Sequence, residues 1–104
     1  MELTVLERIV LQSILPKEGD FVTFRLIKEL RTELSFTEEE IKEFGIRQEA
    51  DRLMWDTEKV KPKDIVIGDT MKKIITDALN KLDSEGKVNE ENYTLFEKFI
   101  SNGQ

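Results

Sequence analysis

The chain contains no cysteine and no histidine. Without cysteine there are no disulfides, no thiolate metal sites and no cysteine nucleophile. The absence also fits a reducing compartment. Without histidine the commonest general base and the commonest transition-metal ligand are missing, and every histidine-based triad is excluded. The five glycines are dispersed, so no glycine-rich phosphate loop can form. No run of about 18 apolar residues occurs, and no membrane-spanning helix is expected. Basic charge is in short supply, with 16 Lys and Arg against 22 Asp and Glu, for a net charge of −6. That balance favours solubility and works against non-specific binding to nucleic acid or to anionic lipid. The first fifteen residues are apolar but carry Glu2, Glu7 and Arg8. They lack a basic leader and a small-residue cleavage site, so a cytoplasmic location is expected.

What is present reads as one mostly helical domain. A length of 104 residues suits a single domain that can bury a core without staples. Apolar residues make up 38% of the chain and charged residues 37%, but the apolar ones recur at helical spacing, which argues against disorder. Thr4 and Glu7 form a capping box for a first helix from Val5 to Leu15. Its apolar residues cover more than one stripe, so it is expected at the centre or at a subunit contact. Asp20 caps a second helix, Phe21 to Leu34, with Thr23, Leu26, Ile27, Leu30 and Leu34 on one face. Thr37 with Glu40 forms another box, and Phe36 with Ile41 a hydrophobic staple, for a short third helix stopped by Gly45.

After Ile46 the helical period fades. Leu53 and Trp55 alternate, as do Ile65 and Ile67, which predicts a β-hairpin with strands near Arg52–Trp55 and Asp64–Ile67. Gln48 to Arg52 reads as a strand extension or an irregular lead-in. Asp69 or Thr70 caps a fourth helix with a stripe of Met71, Ile74, Ile75, Ala78, Leu79 and Leu82, ended by Gly86. Asn89 caps a fifth, with Tyr93, Phe96, Phe99 and Ile100 on its apolar side. The tail from Ser101 to Gln104 is expected to be loose. The fold class is therefore mainly α, of α+β type, with about five helices and one hairpin between the third and fourth. One domain is expected over 1–104, comprising a helical half over 1–45, the hairpin over 46–68 and a helical pair over 69–101. The expected core includes Leu6, Ile9, Val10, Ile27, Leu30, Ile41, Ile74, Ala78, Leu79 and Phe96.

Little in the sequence points to chemistry. Glu38, Glu39 and Glu40, and likewise Glu90 and Glu91, occupy first helical turns, where the helix dipole favours negative charge. Asp83 to Glu90 has the composition of a calcium loop but not the spacing, since glycine falls at the fourth position instead of the sixth and no glutamate stands at the twelfth. Ser13 and Ser35 have no base to activate them. We expect no enzymatic activity, no cofactor and no metal. Trp55 is expected to pack inward beside Leu53, with a partner hot spot as the alternative.

The order helix, helix, helix, hairpin is similar to a winged-helix domain, with Ser35 to Thr37 as the turn. In that reading Lys59, Lys61 and Lys63 decorate the wing. The charges oppose DNA reading, because Glu38, Glu39, Glu40 and Glu43 stand on the would-be recognition helix against Lys42 alone. The expectation is instead a protein-interaction or assembly module. A winged-helix DNA-binding regulator and an acidic inhibitor of a DNA-binding protein are the alternatives. The contacts to examine first are Glu38, Glu39, Glu43, Trp55, Lys59 and Lys61. A homodimer is also compatible, because a stripe of leucine and isoleucine serves either core or interface.

Several stretches carry a resemblance. They are Leu3 to Arg8, Leu15 to Asp20, Ser35 to Ile41, Trp55 and Asp64 to Gly68. Together this layout resembles small uncharacterised proteins encoded by phages and prophages of bacteria. The resemblance implies an accessory phage protein acting in the host cytoplasm, and it carries over no catalytic residues.

Overall fold

A computed structural model describes residues 1–100. The expectation of a loose tail at Ser101 to Gln104 lies outside the described residues. In chain order the elements are β1 (Glu2–Leu3), α1 (Val5–Ile14), α2 (Phe21–Leu34), α3 (Glu38–Phe44), β2 (Arg47–Glu49), β3 (Arg52–Met54), β4 (Lys63–Asp64), α4 (Asp69–Ser84) and α5 (Tyr93–Phe99). The fold is mainly α, of α+β type, with a hairpin between the third and fourth helices.

The helix starts follow the capping chemistry. Thr4 Oγ1 accepts from the Glu7 amide while Glu7 Oε1 accepts from the Thr4 amide. Thr37 and Glu40 exchange the same two bonds at the start of α3, and the Asp20 carboxylate accepts from the Thr23 amide. α4 differs from expectation. Its cap is Gly68, which has no side chain, and Asp69 lies inside the first turn where its charge meets the helix dipole. Asn89 does not cap α5 as expected: its Oδ1 accepts from the Glu91 and Asn92 amides within a turn that holds Glu90 and Glu91, and the residue at the helix start is Asn92. α3 ends at Gly45, whose φ of 65° is left-handed; the Ile46 amide then reaches back to the Ile41 carbonyl.

The strand pairing corrects the expected hairpin. β2 pairs antiparallel with β3 across the two-residue turn Ala50-Asp51, with Gln48 opposite Leu53. The stretch at Lys63–Asp64 pairs instead with β1, Leu3 opposite Lys63. The reason is local. All three β2 residues are exposed, so no apolar alternation marks them, and the two residues of β1 are too few to show a period. Beyond β4, Ile65 is buried and its backbone exchanges bonds with Met1, while Val66 is exposed and Ile67 half-buried, which keeps the extended alternation.

The core is built from Leu3, Leu11, Leu15, Ile27, Leu30, Leu34, Ile65, Met71, Ile75, Leu79, Leu95 and Phe99. α1 packs against α2 and α5, and α5 against α4. Of the expected core, Ile27, Leu30 and Leu79 are fully inside, while Val10, Ile74 and Phe96 pack on the edge. Ile41 is 41% exposed, because the staple at α3 stays on the surface. Tyr93 is also exposed, and Leu95 takes the buried position on α5.

Candidate functional site

The sequence singled out two segments, α3 and the chain around Trp55. The structure brings them together. The Asp56 amide donates to the Phe44 carbonyl at 2.8 Å, which closes the path from hairpin back to the end of α3. Gly45 lies against the Asp56 side chain, where a β-carbon would collide with the carboxylate. Lys61 Nζ pairs with Glu43 Oε1 at 2.9 Å, and Lys59 Nζ lies 3.8 Å from Asp56 Oδ2. Arg47 bridges Glu49 at 2.6 Å and Asp56 at 3.3 Å. The basic side chains here are thus matched by acids of the same segment. Glu38 and Glu39 are exposed on the first turn of α3. Trp55 is half-buried and outside the main apolar cluster, so the inward packing expected for it beside Leu53 is only partial; Leu53 is 37% exposed.

Two buried charges do more to organise the molecule. Arg8 is fully buried on α1. Its Nε donates to the Leu34 carbonyl and one Nη to the Ser35 carbonyl, where α2 leaves carbonyls without helical partners. The guanidinium also meets Glu40 of α3 through two bonds and stacks 4.0 Å from the centre of the Phe36 ring. Those bonds from Arg8 outweigh burial and, with the Thr37 amide, hold the Glu40 carboxyl at about 2 against an ordinary 4.5. Glu7 is the second. Burial pushes its carboxyl up, but Lys98, the Thr4 amide and Thr94 more than offset this and hold it below 4.5. Lys98 Nζ bonds both Glu7 Oε1, at 2.6 Å, and the Glu2 carbonyl, at 2.7 Å. Every polar group in these two clusters is used within the fold. Among the described residues no buried side-chain polar atom lacks a partner, and no group of acidic side chains is placed to hold a metal ion.

The surface carries shallow troughs. One, of about 460 Å³, lies between α2 and the start of α4 and is lined by Leu26, Glu29, Leu30, Glu33, Val66 and Met71. A second, of about 340 Å³, follows α2 towards its start, with Phe21, Phe24, Arg25 and Lys28. The two share Glu29 and Thr32, which stand between them on α2. The first is lined by Val66, 91% exposed, and the second by Phe21, 79% exposed, the two most exposed large apolar side chains among the described residues. Other troughs flank α1, sharing Ile9 and Ser13.

Sequence reasoning missed Arg8, Phe21 and Val66. A signal existed for Arg8, which lies within the apolar arc of Val5, Leu11 and Leu15 on an otherwise apolar helix. Phe21 is one step off the apolar face of α2. Val66 falls on the outward phase of an alternating stretch whose partner strand was misassigned. No family model matches the chain, and neither a curated protein nor a solved structure is found to be similar to it. No described helix is long and apolar enough to cross a membrane.

Proposed function

We propose that the chain is a non-enzymatic protein-interaction or assembly module, serving as an accessory phage or prophage protein in the host cytoplasm. One observation carries the interaction reading: Val66 and Phe21, the two most exposed large apolar side chains among the described residues, each line a trough beside α2. Large apolar side chains gathered on a surface trough lose water contact only when a partner covers them. The phage context rests on the sequence resemblance alone.

DNA binding has less support. Its recognition helix would present Glu38 and Glu39 to phosphates, and its wing lysines Lys59 and Lys61 are engaged by Asp56 and Glu43. The test is affinity capture from bacterial lysate with the full chain, with and without DNase, set beside the Phe21→Ser and Val66→Ser variants. The expected result is a stoichiometric protein that survives DNase and is lost from both variants. A protein that bound DNA and released it on capture would favour the acidic-inhibitor alternative. Nucleic acid that eluted with DNase or salt would overturn the reading in favour of a DNA-binding regulator.

A further inference from the structure

No side chain between Phe44 and Ile65 is buried. Ile46, Met54, Trp55 and Val60 are half-buried there but stand outside the main apolar cluster, and so does the buried Phe44. This stretch is held instead by α3 and by itself. β2 pairs with β3, the Asp56 amide reaches the Phe44 carbonyl, the Ile46 amide reaches the Ile41 carbonyl, and Lys61 pairs with Glu43. Arg47 adds a bridge from β2 to Asp56. Among the described residues, by contrast, the hydrogen bonds that cross from residues 37–62 to the rest of the fold all come from one side chain, Arg8, and end on Glu40.

We infer that residues 37–62 form a flap that swings as one unit on the rest of the fold. Its two connections to the body lie side by side. The chain enters the flap from Ser35 and Phe36 and leaves it at Pro62, and Lys63, the next residue, donates to the Glu33 carbonyl at 3.1 Å. A few residues at such crossings can absorb the backbone change of a hinge. Arg8 sits at this edge. It donates to the Ser35 carbonyl on the body side and to the Glu40 carboxylate on the flap side, so it pins the two where a swing moves them least. Leu53 of β3 stands across an open crevice of about 470 Å³ from Ile9, Gln12 and Ser13 of α1. None of the lining side chains is charged, so closing the crevice buries no ion. The swing widens or shuts this crevice. It breaks no hydrogen bond within the flap and uncovers no side chain of the main apolar cluster, which makes it a local motion separate from unfolding.

The inference is independent of the interaction reading. Distances between pairs of spin labels, measured by pulsed electron resonance on the full chain, test it. The chain has no cysteine of its own, so each introduced pair is labelled cleanly. Asp51→Cys in the hairpin with Lys81→Cys in α4 spans flap and body, and Asp51→Cys with Lys42→Cys in α3 lies within the flap; all three positions are exposed. The expected result is a broad or two-peaked distance for the first pair and a single narrow distance for the second. Leu53→Ser, which removes the apolar contact at the crevice, should raise the open fraction in the first pair by more than about twofold. It should leave the second pair and the circular dichroism spectrum as they are. A flap-to-body distance as narrow as the one within the flap overturns the inference. So does a distance within the flap as broad as the one to the body, because the hairpin would then move by itself and α3 would belong to the body. An open fraction unchanged by Leu53→Ser would also overturn it.

Discussion

Arg8 and Glu40, 32 residues apart, are joined by two parallel bonds of 2.7 and 3.1 Å, and the same guanidinium closes the carbonyl end of α2. One side chain from α1 thus fixes how α2 stops and where α3 starts. Glu40 is itself half of the box that begins α3, so the helix cap and the ion pair share a carboxylate. Truncating Arg8 removes the partner of two backbone carbonyls and of Glu40 together.

Arg8→Ala is therefore expected to cost about 3 kcal/mol or more of unfolding free energy. Arg8→Lys keeps the charge but not the planar fork that reaches Leu34, Ser35 and Glu40 together, so it should recover only part of that loss. Urea unfolding followed by circular dichroism measures both. A lysine variant as stable as the wild type would show that charge alone matters at this position.

Acid should act through the same pair. The folded Glu40 releases its proton near 2, whereas the unfolded side chain does so near 4.5. Between those values the unfolded chain binds more protons, so lowering the pH drains stability. The contribution is fully present above about 4.5 and lost as pH falls towards about 2. Glu7, also held below its ordinary value, adds in the same direction. Denaturation midpoints taken from neutral pH downwards should fall through this window, and Glu40→Gln should flatten the fall while lowering stability at neutral pH.

Gly45 meets two demands at once. Its φ of 65° disfavours any β-carbon, and the Asp56 carboxylate fills the space one would take. Gly45→Ala should cost more than the roughly 1–2 kcal/mol of left-handed strain alone. Adding Asp56→Ala should return the collision part and leave the strain, so the pair should be non-additive in a double-mutant cycle.

The hairpin turn has the reverse arrangement, since Ala50 holds a φ of 57° in a turn of two residues. Ala50→Gly is expected to stabilise the protein by about 0.5–1 kcal/mol, because the strain removed exceeds the chain entropy added. A rise in thermal midpoint without a change in the circular dichroism spectrum would support this, and a lowered midpoint would contradict it.

The helices were legible because their ends are written in side chains. Thr4, Asp20, Thr37 and Gly45 each act through a neighbour within a few residues, and such rules need no knowledge of the rest of the fold. The strands were less legible. Lys63–Asp64 pairs with Glu2–Leu3, a choice made by tertiary packing between segments that carry no periodic mark. The acidic face of α3 and the lysines near Trp55 were read as separate features, yet Lys61 neutralises Glu43. Exposure of Phe21 was hidden for a related reason. A phenylalanine at the first position of α2 can turn inward or outward, and only tertiary packing decides which; here it is 79% exposed.

The bond from Lys98 to Glu7 spans 91 residues. During vectorial synthesis Glu7 emerges from the ribosome long before its counter-ion exists. Until Lys98 arrives, any early docking of α1 would bury the Glu7 carboxylate with the Thr4 amide but without its cation, which burial penalises. The N-terminal helices can form and touch as they appear, but the closure that buries Glu7 waits for α5. Closure over Glu7 is thus tied to the synthesis of α5, and a nascent chain halted before it would lack the cation that seals the α1 face.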